Sequence, residues 1–259
     1  MAGLGKQAIE DLQSPLAVRV DFYEEIGSTQ ERARELARGG APHGTLVVSE
    51  VQRGGRGRLG RAWGSPPGGL WMSLVLRPEL SVSLAPRVTQ AAAVGVSKAL
   101  WGIGVEARIK WPNDLLANGR KICGILAESS AGIAPAGRPE FVILGVGLNA
   151  NLDPADLGVA SREVATVRSE LGHDVDLVEL LRAILSNLDF ELGRIRDFSA
   201  ILDDWRSLNC TLGNLVRVER FGKVIEGRAA DLTSEGALLL ETSEGTVEVF
   251  EGEIEHLRL

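Results

Sequence analysis

Polar and apolar residues begin to alternate at Val18-Arg19-Val20-Asp21-Phe22-Tyr23, which predicts a first strand, because successive strand side chains point to opposite faces. Residues 1–17 lack that period and are expected to form a loose lead-in, too short for a helix-turn-helix module. Ser28 followed three residues later by Glu31 is a capping-box pattern, and the helix it opens should stop at Gly39-Gly40. Residues 46–48 and 70–76 read as buried strands, and 86–101, rich in Ala and Val at helical spacing, as a core helix ending near Gly102. A strand over 105–110 follows. Asn118-Gly119, between apolar runs at 115–116 and 122–126, predicts a hairpin whose two turn residues both take positive φ. Residues 141–148 should add a strand beside it, and amphipathic patterns over 177–195 and 198–208 predict helices covering one sheet face. After Thr211 the pattern changes to short alternating runs separated by Phe221-Gly222, Ser234-Glu235-Gly236 and Ser243-Glu244-Gly245, as in a small antiparallel barrel. Strands first and helices later give an α+β class, with units 1–210 and 211–259 divided near Cys210.

Between the second and third strands, residues 52–69 hold seven glycines, four arginines and two prolines with no acidic residue. Gly54, Gly55, Gly57 and Gly60 let backbone N–H groups approach a ligand closely, while Arg53, Arg56, Arg58 and Arg61 add positive charge, so phosphate or carboxylate is the matching partner. Trp63 and Trp71 flank it with planar apolar surface. On the residues alone this is an anion-binding lid, with a solvated loop and an RNA-binding arginine-glycine segment as alternatives. In Ile109-Lys110-Trp111-Pro112-Asn113-Asp114 a lysine leaves the end of an apolar strand before a proline turn; strand ends of this kind favour active residues, and a surface lysine is the alternative.

Charge narrows these choices. With 28 basic and 35 acidic residues the net charge is −7, which argues against a general grip on nucleic acid. Residues 211–259 carry five basic and ten acidic residues, leaving −2 for the first 210, so the barrel is no nucleic-acid module by charge. The chain's 259 residues, 44% apolar, suffice for a real core. Cys123 and Cys210 stand far apart without a CxxC, against a disulfide scaffold or structural zinc. Cys123 among Ile122, Ile125 and Leu126 reads as a buried hydrophobe; His43, His173 and His256 are scattered and read as surface or capping residues. No run has the length of a membrane span and no signal peptide opens the chain, so a soluble cytoplasmic protein is expected.

Taken together, the motifs resemble those of the biotin protein ligases. The family's GRGRxGRxW is similar to residues 55–63, its KWPNDL to 110–115, and its following segment to 119–128; Gly27-Ser28-Thr29 and Gly145-Val146-Gly147-Leu148-Asn149 also match. The resemblance spans most of residues 20–150, and one departure is Gln30, where many members carry asparagine. It implies a mixed sheet flanked by helices, class II aminoacyl-tRNA synthetase-like, with a small C-terminal SH3-like β-barrel, in a short form lacking the N-terminal DNA-binding domain. It implies an enzyme that uses ATP to make biotinyl-5'-adenylate and passes biotin to a lysine of a biotin carboxyl carrier protein. The implied catalytic residues are Lys110 and Arg58. Biotin would meet Ser28, Thr29, Gln30, Gln52, Gly55, Arg56, Gly57, Arg58, Trp63 and Lys110; ATP and adenylate would meet Arg61, Trp63, Asn113, Lys121 and Asn149. Mg²⁺ is expected on the phosphates with no named ligand, since Asp114 and Glu128 are equally open to structural roles. No DNA or membrane partner is implied, and the state expected is a monomer or weak homodimer. A lipoate or octanoate ligase and, from another class, an RNA-binding module are the rival readings.

Overall fold

The computed structural model describes residues 4–79, 81, 86–130, 133–134, 138–158, 163–220, 222–250 and 252–257. Helix α1 (Lys6–Glu10) and a 3-10 turn over Pro15–Ala17 come first. The expectation of a loose lead-in fails here: Leu4, Ile9, Leu12 and Leu16 are all buried in the main core. Their apolar side chains are too few and too widely spaced to show a period, yet burying each contributes about 1.5–3 kcal/mol, enough to dock the segment.

The main sheet is mixed. Its order is β1-β2-β3-β9-β6-β5-β4, built from β1 (Arg19–Ile26), β2 (Thr45–Gln52), β3 (Leu70–Leu76), β4 (Ala107–Lys110), β5 (Asp114–Ala117), β6 (Arg120–Ser129) and β9 (Val142–Leu148), with a short separate pair β7 (Ile133–Ala134) and β8 (Arg138–Pro139) between the last two. Only β1 and β2 pair in parallel; they are joined by helix α2 (Thr29–Arg38), the crossover such a pair needs. All seven residues of β3 are buried because helices cover both faces of the sheet. α2 packs on one face against Val47, Val75 and Ile143. On the other lie α3 (Pro86–Gly102), α5 (Leu177–Gly193) and α6 (Phe198–Leu208), whose apolar stripes join the main core, while the short α4 (Val167–Leu171) caps the end of the sheet. Asn118 and Gly119 take φ of 48° and 75° in the β5–β6 turn, as the hairpin requires.

Residues 209–211 then run along the edge strand β4: the Cys210 N–H donates to the Ile109 carbonyl at 2.9 Å and the Trp111 N–H to Thr211 Oγ1 at 2.9 Å. An exposed edge is thereby covered. Five antiparallel strands follow, β10 (Leu215–Arg220), β11 (Lys223–Leu232), β12 (Leu238–Thr242), β13 (Gly245–Val249) and β14 (Glu253–His256), in the order β13-β12-β11-β10-β14 around Val216, Val218, Ala229, Leu238 and Leu240. Among the described residues, no helix is long and apolar enough to cross a membrane.

Candidate active site

Where β6 and β9 pair, Gly124 stands opposite Gly147. A Cβ on Gly147 would lie 2.5 Å from Trp63 Nε1 and one on Gly124 3.0 Å from the indole ring, so this glycine pair is a slot into which the Trp63 side chain is laid. The ring is covered by Lys121, whose Nζ stands 5.0 Å from its centroid and 2.8 Å from Asp114 Oδ1. Around the slot opens a cavity of about 390 Å³ reaching from Ser28 to Asn149, within the range of small-ligand sites. Gly252, Glu253 and Ile254 of the C-terminal sheet complete its rim.

One end is polar. The Ser28 side chain caps α2, accepting from the Glu31 N–H at 3.4 Å, but Glu31 does not return the bond; its carboxylate pairs with Arg56 at 3.0 Å. The Thr29 N–H donates to Gln52 Oε1 at 2.9 Å, Gln52 Nε2 donates to Ser65 Oγ at 2.9 Å, and Thr29 Oγ1 meets Ser73 Oγ at 2.9 Å. Gln30 is engaged within the protein: Nε2 donates to Glu128 Oε2 at 2.8 Å and to the Ile143 carbonyl at 3.2 Å.

The glycine-rich segment is a small hairpin, with Gln52 paired to Ser65 and Arg56 to Ala62. Its tip places Leu59 (φ 56°) and Gly60 (φ 73°) in the left-handed region. Gly55 is buried, and a Cβ there would come 2.5 Å from the Trp63 carbonyl; of all the expected site residues it alone does not line the cavity. Gly57 is extended and a Cβ would meet nothing nearer than the Arg61 carbonyl at 3.8 Å. Its N–H is spent on that carbonyl at 2.8 Å, whereas the N–H of Arg56 points away from the pairing. Each arginine of the segment has an acceptor: Arg53 with Glu25, Arg56 with Glu31, Arg61 with Glu253, and Arg58 with Asn113 Oδ1 at 3.1 Å and the Gly252 carbonyl at 3.3 Å.

Lys110, at the end of β4, lines the cavity half-buried and makes no ion pair among the described residues. Asn113 is held by a bond from its Nδ2 to the Ile125 carbonyl at 2.9 Å, and Asn149 by one to the Ala165 carbonyl at 3.1 Å. Among the cavity-lining residues, Trp63 Nε1, Trp111 Nε1 and Asn149 Oδ1 are buried without a hydrogen-bond partner among the described residues, and Asp114 Oδ1 has only its ion pair with Lys121. The described residues contain no group of three His, Cys, Asp or Glu able to hold a metal; Glu128 is tied to Arg34 at 2.6 Å and lies off the cavity, while Asp114 lines it. Burial pushes the Cys123 thiol far up, which suits a core side chain and not a nucleophile. Sequence reasoning missed Ser73 and the glycines at 124, 145 and 147. The alternation of Gly145 and Gly147 on one face of β9, and a lone serine in an apolar strand, were the available signals.

Residues 23–149 match the model of the biotin/lipoate A/B protein ligase family, and residues 211–257 that of the biotin protein ligase C-terminal domain. The chain is 39% identical over 242 residues to the bifunctional ligase/repressor BirA of Bacillus subtilis, covering 90% of this chain and 73% of that protein. It is 31% identical over 268 residues to the biotin–[acetyl-CoA-carboxylase] ligase of Mycobacterium tuberculosis, covering 93% and 90% respectively. Among solved structures, the biotin protein ligase from Aquifex aeolicus in complex with biotin and ATP superposes with a TM-score of 0.78 at 29% identity, over 93% of this chain and 100% of that one. By these matches to both of its parts, the chain belongs to the biotin protein ligase family.

Proposed function

We propose that this protein is a biotin–[biotin carboxyl carrier protein] ligase, with residues 1–210 as the catalytic unit and 211–259 as a smaller unit that closes the rim of the site. The observation that carries the reading is that the glycine-arginine hairpin, the strand-end Lys110 and the polar end at Ser28, Thr29 and Gln52 all face one cavity. In the first step the biotin carboxylate oxygen attacks the α-phosphorus of ATP, forming the acyl-phosphate bond as the bond to pyrophosphate breaks. In the second, the carrier lysine amine attacks the acyl carbon and AMP leaves. Neither step needs an enzyme nucleophile, so positioning and charge neutralisation do the work. Lys110 is assigned to the carboxylate and phosphate oxygens, where a cation offsets the repulsion of two anions. Arg58 assists it, and the Arg56 N–H is the backbone donor for the acyl oxygen.

Ser28, Thr29 and Gln52 are assigned to the ureido ring, Gln30 acts behind them, and Trp63 walls the bicyclic body. Asn149, with its unpartnered Oδ1, suits the amino group of adenine, and Arg61, Asn113 and Lys121 fall to the rest of the nucleotide. Gly55 supports the hairpin from behind, so its part in binding is indirect. Mg²⁺ fits as an ion carried by the phosphates, with Asp114 and, at the rim, Glu253 the carboxylates that line the cavity, and would supply further charge neutralisation. The partner proposed is a biotin carboxyl carrier domain, with the enzyme a monomer or weak homodimer in the cytoplasm, where ATP is available and its two free thiols stay reduced. A DNA partner is left out of the proposal because the net charge is negative. The RNA-binding alternative loses support from the matched loop arginines, which form no unpaired basic stripe. Pyrophosphate exchange into ATP should require biotin; exchange driven by lipoate would transfer the assignment to a lipoate ligase, and none with either acid would overturn it.

A further inference from the structure

Four polar side chains run inward from the biotin end of the cavity: Gln52, Thr29, Ser73 and Gln30. The orientation of the two carboxamides is set by their outer partners. Ser65 Oγ donates to the Trp63 carbonyl at 3.1 Å and so can only accept from Gln52 Nε2, which leaves Gln52 Oε1 facing the Thr29 N–H. Both N–H groups of Gln30 are taken, by Glu128 and the Ile143 carbonyl, which leaves Gln30 Oε1 facing Ser73. A carbonyl oxygen therefore stands at each end of the row, with two hydroxyls between them.

The contacts are 3.0 Å from Gln52 Oε1 to Thr29 Oγ1, 2.9 Å from Thr29 Oγ1 to Ser73 Oγ, and 3.0 Å from Ser73 Oγ to Gln30 Oε1. Three oxygen–oxygen approaches share two hydroxyl protons. In every assignment one pair of oxygens faces with lone pairs only, or one proton is split between two acceptors. This row is buried, with Thr29, Gln30 and Ser73 at most 6% exposed, so solvent does not relieve it. The arrangement is also built for: Ser73 sits opposite Gly145, where a Cβ would come 2.5 Å from Gln30 Oε1, and Arg34 holds Glu128 from outside at 2.6 Å.

We propose that Ser73, backed by Gln30, is a positioning residue that keeps this end of the cavity one proton short, so that it selects a ligand by its ring N–H donors. The inference rests on the biotin reading. A ureido N–H entering at the Thr29–Gln52 end takes up a surplus lone pair, whereas a ligand head of sulfur or carbonyl groups alone adds to the surplus. Sites built around a hydrogen bond reject ligands that lack it far more strongly than sites built on shape.

Pyrophosphate exchange with biotin, and with biotin methylated at one ring nitrogen or the other, tests this. Ser73→Ala leaves one approach and one proton between Thr29 and Gln52; it should raise the biotin KM about tenfold, the worth of one hydrogen bond, with the ATP KM and kcat unchanged. The penalty for N-methylation should shrink in the same variant, and Ser73→Thr, which keeps the hydroxyl, should restore both. If Ser73→Ala does not fold, Gln30→Met removes the far carbonyl instead and should give the same biotin-only loss. An unchanged biotin KM, biotin and ATP KM values rising together, or an undiminished methylation penalty would overturn the inference while leaving the ligase reading intact. Absence of biotin-dependent exchange in the unaltered protein would instead overturn the ligase reading.

Discussion

Two polar clusters of this molecule are built on opposite plans. Between the helices, Glu191 of α5 is fully buried, yet both of its oxygens are occupied: Lys98 Nζ reaches one at 2.9 Å and Arg194 Nε the other at 2.8 Å. Asp204 of α6 joins Lys98 at 2.7 Å and also pairs with Arg194, and these contacts hold its carboxyl below the usual range despite burial. Nothing in that cluster is left over for a ligand. At the cavity, Trp63 Nε1 and Asn149 Oδ1 have no partner among the described residues, Lys110 makes no ion pair, and the Thr29–Ser73 row lacks a proton. Buried polar groups left incomplete cost free energy unless something else completes them. The complete cluster serves the architecture and the incomplete one serves the ligand.

The contrast breaks if Lys110 proves architectural. Lys110→Ala should lower adenylate formation roughly 10²–10³-fold, comparable to loss of a transition-state donor, with the thermal midpoint unchanged because no protein partner is orphaned. Single-turnover formation of biotinyl-adenylate, read beside thermal unfolding, checks both halves. A normal rate, or a large loss of stability, would erase the distinction. Glu191→Gln should behave oppositely. It leaves Lys98 and Arg194 with only Asp204 between them and should destabilise by about 2 kcal/mol, less than the ~3–5 of a fully buried pair because both cations keep water contact. For a chain of this size that is a fall of roughly 4–8 °C in Tm, with adenylation by the folded fraction unchanged.

The two plans also differ in how far they can be read from sequence. Lys110-Trp111-Pro112-Asn113 and the glycine-arginine hairpin are contiguous runs whose composition states their chemistry, and every expected site residue except Gly55 lines the cavity. Gly55 lay beyond reach because the close approach it permits is to the hairpin's own Trp63 carbonyl, a contact set by folding of the loop on itself. The strands, helices and α+β class followed from period and turn chemistry and the mixed sheet from the family resemblance, but docking of residues 4–17 depends on a core surface that exists only once the helices are packed. The pairing of Arg61 with Glu253 joins residues far apart in the chain and has no local signal. Ser73 was closest to legible, as the one polar residue in Leu70-Trp71-Met72-Ser73-Leu74-Val75-Leu76; its meaning required Gln30 and Gly145 to be seen beside it.

The smallest expected effect places the cavity's charge from a distance. His256, on β14 opposite Val216, has Nε2 buried without a partner among the described residues, and its pKa is lowered first by burial and then by the charge of Lys110. A histidine whose folded pKa lies below its unfolded value of about 6.5 contributes stability that is complete above pH 6.5 and is lost as the pH falls through the folded value, because the unfolded chain binds the proton first. Burial lowers His43 in the same direction, so thermal stability should decline from about pH 6.5 downward with two contributors. In Lys110→Ala one of the two causes at His256 disappears. Its NMR titration should move up toward the ordinary value while that of His43 stays in place, and the acid-side loss of stability should become shallower. Glu191→Gln should move neither titration. A His256 signal indifferent to Lys110 would mean that the lysine's charge does not reach the C-terminal sheet, and the cavity's incompleteness would then end at its own walls.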